Sequence, residues 1–143
     1  MPLGITEHDI YFFDLRGYLH IKKALSSQEV AALNAGLDAI PPLENFEWHG
    51  YVHSHNYGTE DGLNLQQIYE AGEPFEKLID HPSWFEKVKY FVGGEGTHDT
   101  KHGPVFIDEN FTTIRGPGEA IGMHSGGHMG VVRFMFQVIN GRF

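Results

Sequence analysis

The sequence contains no cysteine among its 143 residues and is poor in basic residues. Without cysteine, the chain has no disulfide framework, no thiolate metal site and no cysteine nucleophile. Its 10 lysines and arginines stand against 19 aspartates and glutamates, which gives a formal net charge of −9. An acidic chain without a basic run repels phosphates, so we expect neither a nucleic acid nor an anionic lipid surface as a partner.

Long hydrophobic runs are also missing, and we expect no signal peptide at the start of the chain. The apolar stretches are too short to cross a bilayer, so we expect no membrane association and a cytoplasmic location. Hydrophobic residues still make up 41% of the sequence, enough for the packed core of a single domain, 1–143. Glycine, with 18 residues, and histidine, with 10, are abundant. Histidine is the commonest metal ligand and a frequent general base, which directs attention to metal or acid–base chemistry.

The first part of the chain carries signals for helices. Ser26 and Glu29 occupy the N-cap and N3 positions of a capping box, and apolar residues recur at helical spacing up to Pro41-Pro42. A second helical region, 65–80, is interrupted near Gly72. The pattern therefore predicts amphipathic helices that pack on another element.

Weaker signals flank these helices. A short helix is predicted over 7–15, ending at Gly17, and 18–21 alternates like a short strand. Ser83 and Glu86 repeat the capping-box pattern before a further helix.

Residues 44–63 form a long polar and aromatic segment without a clear period, which predicts a loop. It contains Trp48, His53 and His55. Loops of this length in compact domains often act as lids or binding loops. In an extended segment, His53 and His55 would lie on one side and could chelate a divalent ion. Without a carboxylate they are more typical of hydrogen-bonding or substrate-contacting groups. The length and aromatic content of the loop make Trp48, His53 and His55 candidates to contact a small-molecule substrate.

After residue 103 the sequence favours strands. Residues 105–115 are rich in β-branched and aromatic side chains, and 131–139 places apolar side chains on one face of a strand. Asn140-Gly141, the strongest short hairpin signal, is followed only by Arg142-Phe143. We therefore expect the chain to stop within a β domain, with an open sheet edge that favours self-association.

Five polar residues in this region are candidates for a site. His124 and His128 flank a glycine-rich segment, where they are either metal ligands or polar loop histidines. Arg115 and Arg133 could grip a carboxylate through a bidentate guanidinium, although arginines on sheets are commonly only solvated. Asn110 ends a polar run, 108–110, that marks either an exposed edge or a substrate contact.

Several stretches, in this order, resemble one protein family and together span nearly the whole chain. They are Phe13-Asp14-Leu15-Arg16-Gly17-Tyr18-Leu19 with the helix 25–37, Glu70-Ala71-Gly72-Glu73-Pro74-Phe75, Leu78-Ile79-Asp80-His81-Pro82, Phe106-Ile107-Asp108-Glu109-Asn110-Phe111, Arg115-Gly116-Pro117-Gly118, His124-Ser125-Gly126-Gly127-His128 and the strand ending in Asn140-Gly141-Arg142-Phe143. The sequence resembles the phytanoyl-CoA dioxygenase family of Fe(II)/2-oxoglutarate oxygenases, especially its uncharacterised bacterial and environmental branch.

The resemblance implies an α+β fold with a mainly β core. This core would be a double-stranded β-helix, or jelly roll, with N-terminal helices packed on one sheet. Residues 1–103 would supply the helical support and loop, and 104–143 the first strands of a barrel truncated partway. The implied cofactors are Fe(II) and, as co-substrate, 2-oxoglutarate.

The family holds its iron with a His-x-Asp/Glu pair and a distal histidine, and an arginine beyond that histidine grips 2-oxoglutarate. Only His124 matches this pattern, because Gly126 stands where the carboxylate is expected. The small residue either opens a site for chloride, as in halogenating relatives, or leaves the third ligand to another residue, with His128 as a candidate, or makes this branch a poor binder of iron. The distal histidine and the arginine would follow Phe143.

Two functions remain open from the sequence. One is an oxygenase that hydroxylates a small organic substrate, of which residues 1–143 alone are expected to be inactive. The other is a non-catalytic jelly-roll binding domain that has lost its metal site.

Overall fold

The computed structural model describes residues 4–56, 62–94, 98, 100–101, 103–107 and 110–118. Over these ranges the chain folds as α+β, with an open, antiparallel, four-stranded sheet in the order β1-β2-β3-β4. The elements are α1 Glu7–Arg16, α2 Ser27–Asp38, β1 Trp48–His49, β2 Val52–Ser54, β3 Leu63–Gln66, a 3-10 turn Ile68–Ala71, α3 Glu73–Glu76, α4 Phe85–Phe91 and β4 Phe111–Ile114.

The two longest helices begin where local hydrogen bonding predicts. At α2, the Ser26 hydroxyl accepts from the Glu29 amide at 3.2 Å, and the Glu29 carboxylate accepts from the Ser26 amide at 2.7 Å. Thr6 and Asp9 form the same reciprocal box at α1, which ends at Gly17 in the left-handed region, with φ 74°. The predicted starts of both helices and the predicted end of α1 are confirmed, because each depends on groups only three or four residues apart. α2 ends at Asp38, before the predicted stop at Pro41-Pro42.

The sheet combines local and distant pairing. β1 and β2 form a hairpin, and His53 of β2 faces Gln66 of β3. β3 pairs along its whole length with β4, so that Leu63 faces Ile114. The sheet therefore joins the hairpin region to residues more than forty positions further along the chain.

The core lies between one face of this sheet and the helices. It consists of the buried side chains Leu33, Val52, Leu65, Ile68 and Phe75. Gly36 of α2 is required by this packing, because a Cβ there would lie 2.6 Å from Cε2 of Phe75. An aromatic ring thus packs directly against the backbone of α2.

Four local predictions are corrected by long-range contacts. The predicted loop 44–63 contains the hairpin β1–β2, and residues 65–66, predicted as helix, belong to β3. Residues 18–21 form no strand, and within 105–115 the described strand is limited to Phe111–Ile114. Each error concerns residues whose state depends on a partner strand that the local pattern does not reveal.

The predicted capping box at Ser83 is also wrong. α4 begins at Phe85 with Trp84 as its N-cap and has no side-chain cap hydrogen bond. The Ser83 hydroxyl instead donates to the Ala24 carbonyl at 2.7 Å. The serine therefore connects two segments that are distant in sequence.

The described sheet is open, and a closed jelly roll is not seen in it. The predicted strand 131–139 and the edge expected to follow it lie outside the described residues. Among the described helices, none is long and apolar enough to cross a bilayer.

Candidate functional site

The two faces of the sheet differ in chemistry because side chains alternate along each strand. Val52, Ser54 and Leu65 point toward the helices and are almost fully buried. By the same alternation and the strand register, the opposite face carries a row of polar and aromatic side chains. We call it the polar face; its members are Trp48, His53, His55, Asn64, Gln66, Phe111 and Thr113.

Side-chain hydrogen bonds on the polar face run along β3 and then cross from β3 to β4. Gln66 Nε2 donates to Asn64 Oδ1 at 2.5 Å, and Asn64 Nδ2 donates to Thr113 Oγ1 at 3.2 Å. Asn64 is only 4% exposed, so its amide is a buried polar group with both ends paired. A buried, satisfied amide row holds its members in one geometry.

Two pairs of an aromatic ring with a histidine lie side by side at the hairpin end of this face. His53 stacks on Trp48, with ring centroids 4.3 Å apart, and Phe46 meets His55 edge to face at 4.9 Å. Trp48 remains 55% exposed and Phe46 60% exposed. We call these four residues the hairpin patch. It brings together the three loop residues predicted to contact substrate, Trp48, His53 and His55.

Backbone hydrogen bonds fix the hairpin patch. The Phe46 amide donates to the Ser54 carbonyl at 2.8 Å, and the Ser54 amide donates to the Glu47 carbonyl at 2.9 Å. The side chain of Asn45 also accepts from the Asn56 amide at 2.8 Å. Phe46 itself adopts φ 67°, so the aromatic ring is placed by a tightly defined turn.

His53 contributes an unsatisfied atom to this patch. Its Nδ1 is buried and has no hydrogen-bond partner among the described residues. Leaving such a group unpaired costs about 1–3 kcal/mol. The hydroxyl of Ser54 is also buried and unpaired there, but it points to the opposite, core side of β2. The atom that a ligand on the polar face would satisfy is therefore the imidazole nitrogen of His53.

Asn110 has a defined role in joining β4 to the segment after β3. Its carbonyl accepts from the Gln67 amide at 2.7 Å, and its side-chain oxygen accepts from the Tyr69 amide at 3.1 Å. The Asn110 side-chain oxygen is thus engaged with backbone, away from the hairpin patch. Arg115 follows directly after β4 and is half-buried.

The proposed metal ligands His124 and His128, together with Arg133, lie outside the described residues. Among the residues that are described, no group of three or more histidines and carboxylates is arranged to hold a metal ion. The structure thus brings together the aromatic and histidine candidates for substrate contact and does not test the predicted metal ligands.

The sequence missed a second well-defined histidine, His81. Its Nδ1 accepts from the Ser83 amide at 3.2 Å, so we place the ring proton on Nε2, which donates to Glu29 Oε1 at 3.0 Å. Its ring also stacks on Trp84 at 4.4 Å. The Ser26 hydroxyl and amide, together with the His81 ring, lower the pKa of the Glu29 carboxyl to about 2. His81 is therefore a structural clamp between α2 and the start of α4.

A separate cleft of about 200 Å³ lies beside the hairpin, between the end of α2, the β1–β2 turn and the 3-10 turn. Its lining includes His49, Tyr51, Val52 and Glu70. His49 and Val52 alternate with the hairpin-patch residues along their strands, so the cleft opens on the other side of the hairpin. It is not part of the polar face.

Comparison of the chain with protein-family models, with curated proteins and with solved structures finds no match.

Proposed function

We propose that this chain forms part of an Fe(II)- and 2-oxoglutarate-dependent oxygenase that hydroxylates a small organic substrate, and that the polar face lines its substrate site. The sequence resemblance supplies the reaction type. The observation that carries the proposal is the division of the sheet into one face packed on helices and an opposite face lined by paired polar groups and an unpaired imidazole nitrogen.

The polar face suits a ligand site better than it suits either a solvent surface or a core. A solvent-facing sheet surface would expose its polar groups, whereas Asn64 is 4% exposed and His53 Nδ1 is buried. A core face would be apolar. A few converging polar groups beside aromatic rings are typical of a small-molecule site. In the jelly roll implied by the resemblance, the sheet face away from the helices is the one that lines the barrel.

The candidate residues receive separate roles in this proposal. Trp48, His53 and His55 contact the substrate, and Arg115 is a candidate to bind a carboxylate of 2-oxoglutarate through its guanidinium. Iron and 2-oxoglutarate supply the oxidising chemistry when bound. The described residues contain no ligand set for iron, so His124 and His128 carry that role on sequence alone and we assign no reaction step to the metal.

The test measures succinate formed from 2-oxoglutarate with Fe(II), using the protein as its gene encodes it. The expected result is iron-dependent succinate that is lost in His124→Ala and retained in the control His98→Ala, since His98 is exposed. Absence of succinate, or equal rates in the His124→Ala variant, would contradict the proposal.

The second candidate function, a binding domain without metal, is favoured by one observation. Gly126 stands where the family places a carboxylate ligand. In that case the protein would bind a small molecule at the polar face while taking up no Fe(II) in the presence of 2-oxoglutarate. Metal analysis after anaerobic dialysis against Fe(II) and 2-oxoglutarate separates the two functions.

A further inference from the structure

The hairpin patch and the polar row beside it favour a ligand of one chemical class. We propose that they bind a neutral, polyhydroxylated ring, a sugar or a small molecule that carries one. This inference deepens the proposed function, because such a ring would be the substrate or the part of it that the sheet recognises. Binding itself requires no metal, so the two proposals can fail independently.

The ligand is neutral because the face that would meet it carries no side chain with a permanent charge. The polar face offers the amides of Asn64 and Gln66, the hydroxyl of Thr113 and two imidazoles, and its defined members include no lysine, arginine, aspartate or glutamate. A charged group brought against this partly buried surface would lose hydration without gaining a counter-ion there.

The ligand carries hydroxyl groups because of the unpaired nitrogen of His53. That atom is an acceptor in one tautomer of neutral imidazole and a donor in the other. A hydroxyl donates and accepts, so it pairs with either form. The buried Nδ1 has no hydrogen-bond partner among the described residues. A ligand hydroxyl would supply that partner in either tautomer of His53.

The ligand is a ring because of the exposed aromatic surface beside that nitrogen. One face of the Trp48 indole stacks on His53, yet the side chain is still 55% exposed, and neighbouring Phe46 is 60% exposed. The π-face of an aromatic ring is electronegative, and the C–H bonds on one side of a sugar ring meet it favourably. Adjacent exposed aromatics next to paired polar groups provide stacking and hydrogen bonding within one patch.

The test titrates the full chain with four named probes: the methyl glycosides of glucose, galactose and mannose, and N-acetylglucosamine. Saturation-transfer NMR identifies bound probes and the ring protons nearest to aromatic side chains. At least one probe is expected to bind, with transfer concentrated on one side of the ring. Trp48→Ala and His53→Ala are each expected to weaken binding at least tenfold.

Three variants make the result specific. Trp48→Tyr keeps an aromatic platform and His53→Gln keeps a donor and an acceptor, so both should retain more affinity than the alanine variants. Tyr11→Ala removes a comparably exposed aromatic residue, 62% exposed, from α1 and should leave binding unchanged. Circular dichroism and urea midpoints confirm that each variant is folded.

Several outcomes would overturn the inference. They are the absence of binding by all four probes, binding that survives both alanine variants, or binding of the planar amide benzamide at the patch without any glycoside. Glycoside binding without succinate formation would instead retain this inference and reject the oxygenase. Succinate formation without glycoside binding would retain the oxygenase and reject this inference.

Discussion

Two histidines in this protein stack on tryptophans in nearly the same way, yet their surroundings differ. His81 lies 4.4 Å from Trp84 with the rings inclined by 25°, and His53 lies 4.3 Å from Trp48 with the rings inclined by 27°. Both ring nitrogens of His81 are hydrogen-bonded, to Glu29 and to the Ser83 amide. In contrast, Nδ1 of His53 is buried without a partner among the described residues.

The difference separates a structural histidine from a candidate binding histidine. The indole of Trp84 is also engaged, since its Nε1 donates to the Leu78 carbonyl at 3.1 Å, whereas Trp48 is 55% exposed. A residue whose polar atoms are all paired within the fold stabilises the fold. A residue that keeps an unpaired buried atom beside an exposed ring retains its capacity for a ligand.

The largest expected effect comes from the hydrophobic core between the sheet and the helices. Leu65 is 1% exposed and contributes to the packing between the sheet and the helices. Leu65→Ala should lower the free energy of unfolding by about 2–5 kcal/mol, because it removes buried methyl groups and leaves a cavity. Urea denaturation measures the loss. Leu15→Ala, at a position 63% exposed, is the control and should stay within about 0.5 kcal/mol of the wild type.

The comparison itself is tested by paired histidine substitutions. His81→Ala leaves the Ser83 amide without its acceptor and should cost about 1–3 kcal/mol of unfolding free energy. His53→Ala removes an unpaired buried group together with one stacking contact, and these opposing effects should leave the stability within about 0.5 kcal/mol of the wild type. Urea denaturation measures the unfolding free energy of both variants. Equal losses in His81→Ala and His53→Ala would contradict the distinction between a structural and a binding histidine.

The smallest expected effect is a pH dependence at the clamp. The pKa of Glu29 is about 2 in the folded chain, against an ordinary value of 4.5. A depressed folded-state pKa means that the carboxylate stabilises the fold above about pH 4.5, and that this stabilisation is lost as the pH falls toward about 2. Glu29→Gln keeps one side-chain oxygen to accept from Ser26 but does not titrate. The unfolding temperature of this variant should therefore fall less steeply over that pH window. Leu15→Ala, at an exposed position without a titratable group, should leave the slope unchanged.

The parts of the fold that the sequence predicted are those that short-range hydrogen bonds decide. Ser26 and Glu29 contact each other across three residues, so the start of α2 could be identified from the pattern alone. The end of α1 at Gly17 could also be predicted from the sequence, because glycine is the residue that most readily adopts the left-handed conformation at a helix end.

Other features could not be predicted because their cause lies elsewhere in the chain. Ser83 has the local environment of an N-cap, but its hydroxyl binds Ala24, 59 residues away. Leu65 fits a helical pattern, but pairing with Thr112 of β4 makes it a strand residue. His81 received no role from the sequence, since nothing near it signals that Glu29 is its partner.

The candidate site was predicted in part. The composition of 44–63 identified Trp48, His53 and His55, and the structure places them on one side of a hairpin. It did not predict the unpaired nitrogen or the buried amide of Asn64, because both follow from how β2, β3 and β4 pair. The iron ligands predicted at His124 and His128 remain a prediction.

The position of β3 in the sheet has a consequence for how the protein is made. On one side β3 pairs with the nearby β2, and on the other with β4, where Asn64 and Thr113 are 49 residues apart. At 5–20 residues per second, a ribosome needs about 2 to 10 s to synthesise that interval. During those seconds a nascent chain can form the hairpin but presents β3 with an unpaired edge, a surface to which chaperones and other unfolded strands bind. The amide row is therefore completed only after the aromatic end of the same face has had time to form.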